Sequence, residues 1–309
     1  MHKIKKFFLL LIFLLLFTAL LCYPKECISL ALDGLNRWFH NIIPTLLPFM
    51  ILSQLLVRLQ YHTYFVKVFS PLLQPLFRIN HHGIYVILVG FLCGFPTGGK
   101  TCTTLYENGS LTRHEANYLL AFTNLIGPIY FCSFVIPLFS ISNPLPYLFG
   151  MYGISLLYGI LLRYTIYKNK IEFTTTTWIS SHSNKSFFAH LDDAIYQSLQ
   201  QIAMLGGYMI LFQLFNILPL VLQLESSFLS FTWNLLVEIT NGLCMVAQLK
   251  QFTPFHQILS LSGITFGGFC CLAQTYHIIQ NTNLSKKLYL LHKILLTIGT
   301  ILYYYVIIT

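Results

Sequence analysis

The chain consists of apolar runs that follow one another with only short polar stretches between them. After the basic start MHKIKK, a first run extends to Tyr23, and further runs cover about 41–58, 84–104, 116–138, 145–165, 197–222, 228–248, 256–280 and 288–308. Several are long enough for the roughly 20 residues with which a helix crosses a bilayer. Only 9% of the residues are charged, whereas a soluble domain needs about a quarter. The sequence therefore predicts an all-α polytopic membrane protein surrounded by a lipid bilayer.

The first run is typical of either a cleaved signal peptide or a retained helix. It is long for a signal peptide, and no A-x-A cleavage site ends it. The segment Ala19-Leu20-Leu21-Cys22 is also a poor lipoprotein signal, because leucine precedes the cysteine. We therefore expect residues 1–40 to form a signal-anchor helix followed by an outside loop.

The basic residues predict how the runs cross the membrane. If 84–104 and 228–248 enter and return on the same side, the other runs alternate from a cytoplasmic N-terminus to an outside C-terminus. Of the 18 Lys and Arg, all except Lys25, Arg37 and Lys250 then lie inside, Lys100 and Lys293 among them. The positive-inside rule describes this bias. If both segments crossed instead, the polar loop 163–190 and its cations would lie outside.

These positions predict about seven spanning helices plus two re-entrant hairpins, in a multi-pass protein of the cell membrane. Between two of the runs lies VKVFSPLLQPLFRIN (66–80), which has basic ends and is punctuated by Pro71 and Pro75. This pattern predicts a helix in the cytoplasmic interface. A loop broken by proline is the alternative. Further along, Ser110 or Thr112 could cap the next helix, with Glu115, three residues after Thr112, completing a capping box.

Several function classes are not expected. The formal net charge of +9 comes from cations between apolar runs and not from a clustered basic face, so the sequence does not predict nucleic acid as a partner. The eight cysteines form no CxxC pair and no Cys/His spacing, so neither a disulfide nor a metal site is expected. No HExxH motif, activated serine or Cys/His pair is present, so we expect no enzyme and no cofactor.

One motif fits a nucleotide-binding pattern. Gly94–Thr101, GFPTGGKT, satisfies G-x-x-x-x-G-K-[ST] and follows a strand-like run, IYVILVGFLC. A phosphate loop needs an α/β domain around it and an acidic residue for Mg²⁺. Apolar runs flank this motif closely, and none of the three Asp ends a convincing strand. The glycines are better explained as the turn of a re-entrant hairpin.

The two halves of the chain repeat one order of features. Each has a helix, a segment broken by Gly, Pro, Asn or Thr, and then an interrupted helix. The breaks are Gly94–Gly99 and Asn124–Pro128 in the first half, and Thr240–Gly242 and Gly267–Gly268 in the second. In the topology above the two broken segments enter from opposite sides, which predicts an inverted-topology repeat with a midplane site. The alternative is that these glycines and prolines only allow close packing between membrane helices.

The repeat divides the chain into segments. A first half with a linking helix covers 41–167, a polar linker covers 168–190, a second half covers 191–285, and a C-terminal helix covers 286–309.

Five segments carry a family resemblance. They are PTLLPFMILSQLL (44–56), GFLCGFPTGGKT (90–101), LLAFTNLIGPIYF (119–131), LLVEITNG (235–242) and GITFGGFCCLAQ (263–274). Together they resemble the YlbJ-type sporulation integral membrane proteins, which belong with the nucleoside-recognition, or Gate, domain proteins. The layout is also similar to that of concentrative nucleoside transporters, in which the ligand lies between two hairpin tips and two unwound helices. The resemblance implies a role in spore formation and a transporter-like fold.

The resemblance also implies a set of solute-binding positions at the two tips and the two broken helices. They are Pro96, Thr97, Gly98, Gly99, Lys100, Thr123, Asn124, Gly127, Pro128, Glu238, Thr240, Asn241, Gly242, Gly267, Gly268 and Gln274. The stretch Phe269-Cys270-Cys271 departs from the family pattern, because a less sulfur-rich stretch is expected there.

Three kinds of residue in this set stand out by their chemistry. Glu238 is the only acidic residue well inside an apolar run, which makes it a functional candidate. It could bind a solute or a coupling H⁺ or Na⁺, or it could pair with a helix terminus or Lys100. Lys100 could neutralise an anionic solute or anchor the hairpin. Asn124 and Asn241 could bond a ligand or backbone groups that the breaks leave free.

The sequence thus predicts a transporter-like membrane protein of spore formation that binds or moves a small polar solute. The alternative is a non-transporting scaffold for assembly of the spore envelope. A homo-oligomer is possible in either case.

Overall fold

A computed structural model describes residues 2–59, 61–172, 186–224, 228–246 and 253–309. These residues form helices and no strand, which confirms the all-helical fold. The helices of the first half are α1 (His2–Cys22), α2 (Pro24–Arg37), α3 (Ile43–Arg58), α4 (His62–Phe77), α5 (His81–Leu92), α6 (Thr97–Glu107), α7 (Arg113–Thr123), α8 (Pro128–Tyr130), α9 (Ile136–Leu138), α10 (Leu145–Leu148) and α11 (Ile154–Tyr164). Those of the second half are α12 (Phe187–Gln213), α13 (Ile217–Val221), α14 (Phe228–Val237), α15 (Ile239–Val246), α16 (Pro254–Phe266), α17 (Gly268–Ile278) and α18 (Lys286–Ile308).

Short π-helical or 3₁₀ turns join several of these helices into longer stretches. In the described part of the chain, 6 stretches are long and apolar enough to cross a membrane: Pro24–Arg58, Arg113–Leu138, Leu145–Tyr164, Phe187–Val221, Pro254–Ile278 and Lys286–Ile308. Helix α1 contains a shorter apolar part, Leu10–Cys22. The seventh predicted span, which α1 would provide, stays a prediction.

The residues after α1 are helical where a loop was expected at the end of 1–40. Pro24 begins α2, a position at which the missing N–H of proline costs nothing. A π-helical turn, Trp38–Ile42, then continues α2 into α3. Trp38 donates its indole N–H to the carbonyl of Ile202 on α12 at 2.9 Å, and Gly34 also packs against α12. These contacts hold α2 on α12, and the sequence pattern alone does not predict them.

The strand-like run before the G-x-x-x-x-G-K-[ST] motif is also helical. It forms α5, which begins after Asn80, whose side chain accepts a hydrogen bond from the N–H of Gly83 at 2.9 Å. Its β-branched residues favour a strand, but an apolar segment in a membrane must satisfy its backbone internally, which favours a helix. The motif therefore follows a helix and runs into the start of α6, so it lacks the strand that a phosphate loop follows.

Two local predictions are confirmed. Thr112 caps α7, and Glu115 completes the capping box by accepting a hydrogen bond from the N–H of Thr112 at 2.8 Å. The segment with Pro71 and Pro75 forms α4, as expected for the interfacial helix and not for the broken loop. Its position at a membrane surface stays a prediction.

Polar contacts join helix ends at one end of the molecule. Asn80, before α5, donates to the carboxylate of Glu115, at the start of α7, at 3.2 Å. Arg58, at the end of α3, pairs with Asp193 of α12 at 3.0 Å. Arg163 donates to carbonyls at the end of α4. We call this end the Arg58 end. All these residues fall in the parts predicted to be cytoplasmic, and most of the predicted linker (173–185) lies outside the described residues.

The buried apolar side chains form two clusters. One lies mainly between α5, α7 and α11, and the other between α3, α12, α14 and α16. Phe91 and Tyr158 pack against both clusters.

Candidate functional site

The first predicted tip and the first predicted broken helix lie against each other. The backbone N–H of Phe95 donates to the carbonyl of Leu125 at 2.6 Å. Gly94 has a φ of +70°, and a Cβ at this position would lie 2.2 Å from the backbone nitrogen of Gly127. The first tip thus needs glycine at Gly94, because its backbone touches that of Gly127 where a side chain would otherwise stand.

The rest of the first tip packs on the same breaks. A Cβ on Gly98 would lie 2.7 Å from the Cα of Gly90, and one on Gly99 would lie 3.1 Å from the side-chain oxygen of Asn124. Thr123 is buried, and Pro128 begins α8. The structure therefore brings together the implied residues of the first half, except for Lys100, whose side chain is exposed.

The second pair of breaks has a similar arrangement. Helices α14 and α15 meet at Glu238, and a Cβ on Gly242 would lie 2.4 Å from the Cα of Leu235. Gly267 ends α16 with a φ of +85°, and Gly268 follows with a φ of +71°. A Cβ on Gly268 would lie 3.1 Å from the carbonyl oxygen of Leu236. The implied residues of the second half therefore also converge.

Glu238 caps a helix inside the protein. Its side chain is only 4% exposed. The two carboxylate oxygens accept hydrogen bonds from the N–H groups of Thr240 at 3.0 Å and Asn241 at 2.8 Å. These N–H groups belong to the first turn of α15, where a negative charge is stabilised. Of the two structural partners considered for Glu238, the structure selects a helix terminus and not Lys100.

The two asparagines at the breaks differ in what they bond. Asn241 donates through its side chain to the side-chain oxygen of Asn234, on α14. Asn124 is 2% exposed and donates to the hydroxyl oxygens of Thr275 at 3.0 Å and Tyr289 at 2.8 Å. The side-chain oxygen of Asn124 has no hydrogen-bond partner in the described part of the chain. Asn124 therefore joins the two halves and keeps one acceptor unused.

A lysine predicted to be one of the cytoplasmic cations lies at the junction where Asn124 joins the two halves. Lys293 of α18 is only 3% exposed. Its ammonium group donates to the carbonyl oxygens of Asn124 at 2.6 Å and Thr265 at 3.0 Å. The sequence offered a weak signal, because Lys293 stands inside the apolar run 288–308, although close to its start, and a charged residue within such a run is a functional candidate.

Two cavities reach the breaks. The larger has a volume of about 1450 Å³, and we call it the vestibule. It is lined by Pro96, Thr97, Lys100 and Gln274 of the implied set. The smaller has a volume of about 50 Å³, and we call it the inner pocket. It is lined by Gly127, Glu238, Thr240 and Gln274 of that set. The remaining implied residues line neither cavity and shape the breaks instead: Gly98, Gly99, Thr123, Asn124, Pro128, Asn241, Gly242, Gly267 and Gly268.

The two cavities are close neighbours. Leu205 and Gln274 line both of them, and consecutive residues of the first tip divide between them, with Phe95 at the inner pocket and Pro96 at the vestibule. The side chain of Gln274 donates to the sulfur of Cys270 at 3.2 Å. A small set of side chains therefore separates a polar vestibule from a mostly apolar inner pocket.

The vestibule is polar over much of its surface. Residues that the sequence analysis did not select contribute amide, imidazole and guanidinium groups: Gln54, Arg58, His62, His190, Gln197, Gln200, Gln201, His277 and Asn281. Burial lowers the pKa of His62 from its ordinary value, and hydrogen bonding to the backbone at Val57 and Leu56 partly opposes this shift. The hydroxyl of Thr97 is buried and has no hydrogen-bond partner among the described residues. The vestibule thus offers many groups that can bond a polar molecule.

The family model described as "Gate: Nucleoside recognition" matches residues 39–155. This part of the chain is therefore similar to the Gate family. This match includes the first tip and the first broken helix. Over 96% of its length the chain is also 26% identical to "Sporulation integral membrane protein YlbJ" of Bacillus subtilis (strain 168), of which it covers 81%. The resemblance predicted from the sequence is therefore confirmed. No solved structure matches the chain.

Proposed function

We propose that this protein is a Gate-domain membrane protein of spore formation that binds or moves a small polar solute. The observation that carries the proposal is the inner pocket, which lies among the breaks and holds Glu238 and Thr240 beside the polar vestibule. Broken helices at a midplane site are typical of secondary transporters. The role in spore formation comes from the similarity to the sporulation protein of Bacillus subtilis.

The proposal includes the two re-entrant hairpins. Helix α5 begins beside the start of α7, because Asn80 bonds Glu115, and α6 leads back to that start. Helix α14 begins beside the start of α16, where the rings of Phe228 and Phe255 stack at 5.7 Å. The 25-residue stretch Pro254–Ile278 separates these two ends of the molecule. The inverted repeat that we propose is supported by hairpins that open toward opposite ends.

We also propose that the vestibule faces the cytoplasm and that the N-terminus lies on that side of the cell membrane. The vestibule opens near Arg58, Lys100 and His190, which belong to the end that the positive-inside rule assigns to the cytoplasm. The inner pocket has room for only a few water molecules, so a solute from the vestibule would reach it only after the side chains between them move. Coupling to H⁺ or Na⁺ belongs to the same proposal, with Glu238 as the group that would bind the ion.

The test is to count heat-resistant spores in a sporulating host that carries this chain naturally. Deletion is expected to leave growth normal and resistant spores few. Glu238→Gln removes the charge that caps α15 and lines the inner pocket, so we expect few resistant spores at a normal level of the protein. Asn124→Ala should act in the same direction. Asp192→Asn, an exposed acidic position on α12, is the matched control and should sporulate normally.

Two outcomes contradict parts of the proposal. Normal sporulation of the deletion strain would refute the role in spore formation. Normal sporulation of both Glu238→Gln and Asn124→Ala would refute the site. If those variants are tolerated while changes in the loop 168–190 abolish sporulation, the scaffold is the better description.

A further inference from the structure

Two broken helices end at one point in the interior of the protein. Helix α7 ends at Thr123 with Asn124 as its C-cap, and α16 ends at Phe266. The last carbonyl groups of a helix have no partner within the helix and carry a partial negative charge. Here the carbonyls of Asn124 and Thr265 point at the same atom, the ammonium nitrogen of Lys293.

Lys293 is bound by oxygen dipoles and not by a carboxylate. Among the described residues, Lys293 forms no ion pair. A buried ammonium without a carboxylate is costly unless dipoles replace its water. Two helix C-termini that converge on it provide such dipoles. The positive charge of Lys293 therefore lies where two helix C-termini place partial negative charge.

Further oxygen atoms belong to the polar network that Asn124 forms beside this point. The hydroxyl of Tyr289, one helical turn before Lys293, accepts a hydrogen bond from the side chain of Asn124 and contacts the hydroxyl of Thr275 at 3.3 Å. The side-chain oxygen of Asn124 is buried and has no partner among the described residues. Backbone carbonyls at helix C-termini, together with amide and hydroxyl oxygens, are the groups that bind Na⁺ where helices break in a membrane.

We propose that the ammonium group of Lys293 takes the place of a bound monovalent cation, so that this junction carries its own cation and needs no Na⁺. The argument rests on the junction alone and not on the proposed solute, so it can fail while the proposed function holds. It assigns to α18, which lies outside the matched Gate region, the role of holding the two broken helices together. It also predicts that removal of the lysine side chain leaves a site that a small cation can fill.

The experiment measures thermal unfolding of the purified full-length protein in detergent, in choline chloride, NaCl and NH₄Cl at equal ionic strength. The wild type should unfold at the same temperature in choline chloride and in NH₄Cl. Glu238→Gln, which lacks the other group proposed to bind Na⁺, should unfold at the same temperature in all three salts. Lys293→Ala should unfold at least about 5 °C lower in choline chloride, because two helix ends lose their donor. NH₄Cl or NaCl should restore at least half of that loss.

Two variants serve as controls. Lys293→Met fills the space with an apolar chain, so it should be destabilised and not restored by any of the salts. Lys287→Ala removes an exposed charge one turn and a half earlier on α18 and should behave as the wild type.

Three results would overturn the proposal. The first is a Glu238→Gln protein that NaCl stabilises over choline chloride, because the cation position at Lys293 would then still be open; this result needs no change at the junction itself. The second is a Lys293→Ala protein as stable as the wild type in choline chloride. The third is a destabilised Lys293→Ala protein that no cation restores, which would leave Lys293 as a packing residue.

Discussion

At the scale of single residues, Asn124 forms hydrogen bonds with three other residues of this junction. Its carbonyl oxygen accepts from Lys293, and its side-chain nitrogen donates to Thr275 and Tyr289. One residue thus connects the end of α7 with α17 and α18. A side chain with this many partners is expected to show strong coupling to its neighbours.

This coupling can be measured with a double-mutant cycle. Asn124→Ala removes both side-chain donations and should lower the free energy of unfolding by about 1–3 kcal/mol. Tyr289→Phe removes one acceptor and should cost less. Because the two changes share one hydrogen bond, the double variant should be less destabilised than the sum, by roughly 0.5–1 kcal/mol. Unfolding of the four proteins in detergent measures this difference, and strict additivity would show that the bond contributes nothing.

The residues that the sequence did not predict lie in this same network. Glu238 and Asn124 were found because their residue types are unusual at the positions they occupy in an apolar run. Lys293 follows Lys286 and Lys287 closely, so it resembled one more interfacial cation. Only the packing of α18 against α16 and α7 reveals that Lys293 points inward and that its partners are carbonyls, which every residue has. A sequence pattern cannot single out a partner of that kind.

At the scale of helices, the breaks are defined by backbone contact. Sequence and structure agree at the first tip. The glycines that predicted a turn there are the residues at which the backbones of the tip and of its neighbouring helices come close together. Gly94 has a φ of +70° and touches Gly127, whereas Gly109 has a φ of +72° and open space around it. A side chain at Gly109 would therefore cost only backbone strain, whereas one at Gly94 would cost backbone strain and a steric clash.

Substitution of each by alanine gives a matched pair. Gly109→Ala should cost about 1 kcal/mol of folding free energy, from the left-handed conformation alone. Gly94→Ala adds a methyl group 2.2 Å from the nitrogen of Gly127, so it should cost about 3 kcal/mol or more. Denaturation of the purified variants measures both costs. Equal costs would mean that the two breaks separate easily, and that the contact between the first tip and the broken helix is not a fixed part of the fold.

The helix boundaries show which sequence signals were sufficient to predict where a helix begins. The capping box at Thr112 lies within four residues and was predicted correctly. Helix α2 was not predicted, because its reason for being ordered is the surface of α12, about 170 residues away in the chain. Signals contained within one helical turn could thus be predicted from the sequence, whereas a helix stabilised by residues far away in the chain could not.

At the scale of the whole molecule, the number of membrane crossings follows from whether α5/α6 and α14/α15 return to the side they enter from. The distribution of Lys and Arg in the sequence predicts that they do. Neither hairpin helix is long: α5 has 12 residues and α14 has 10. At 1.5 Å per residue, such helices reach only about 18 Å and 15 Å, which is well short of a hydrocarbon core of about 30 Å.

Reporter fusions test this arrangement directly. With two re-entrant hairpins, fusions after Asn108, Glu172 and Asn281 should place the reporter in the cytoplasm, and fusions after Leu224 and Thr309 should place it outside. A phosphatase that is active only outside and a fluorescent protein that folds only inside give opposite readings at each position. If α5 and α6 together crossed the membrane, the fusions after Asn108 and Glu172 would lie on opposite sides from those after Arg78. A phosphatase signal after Asn108 would therefore remove the first hairpin, and with it the inverted repeat and the inner pocket as a midplane site.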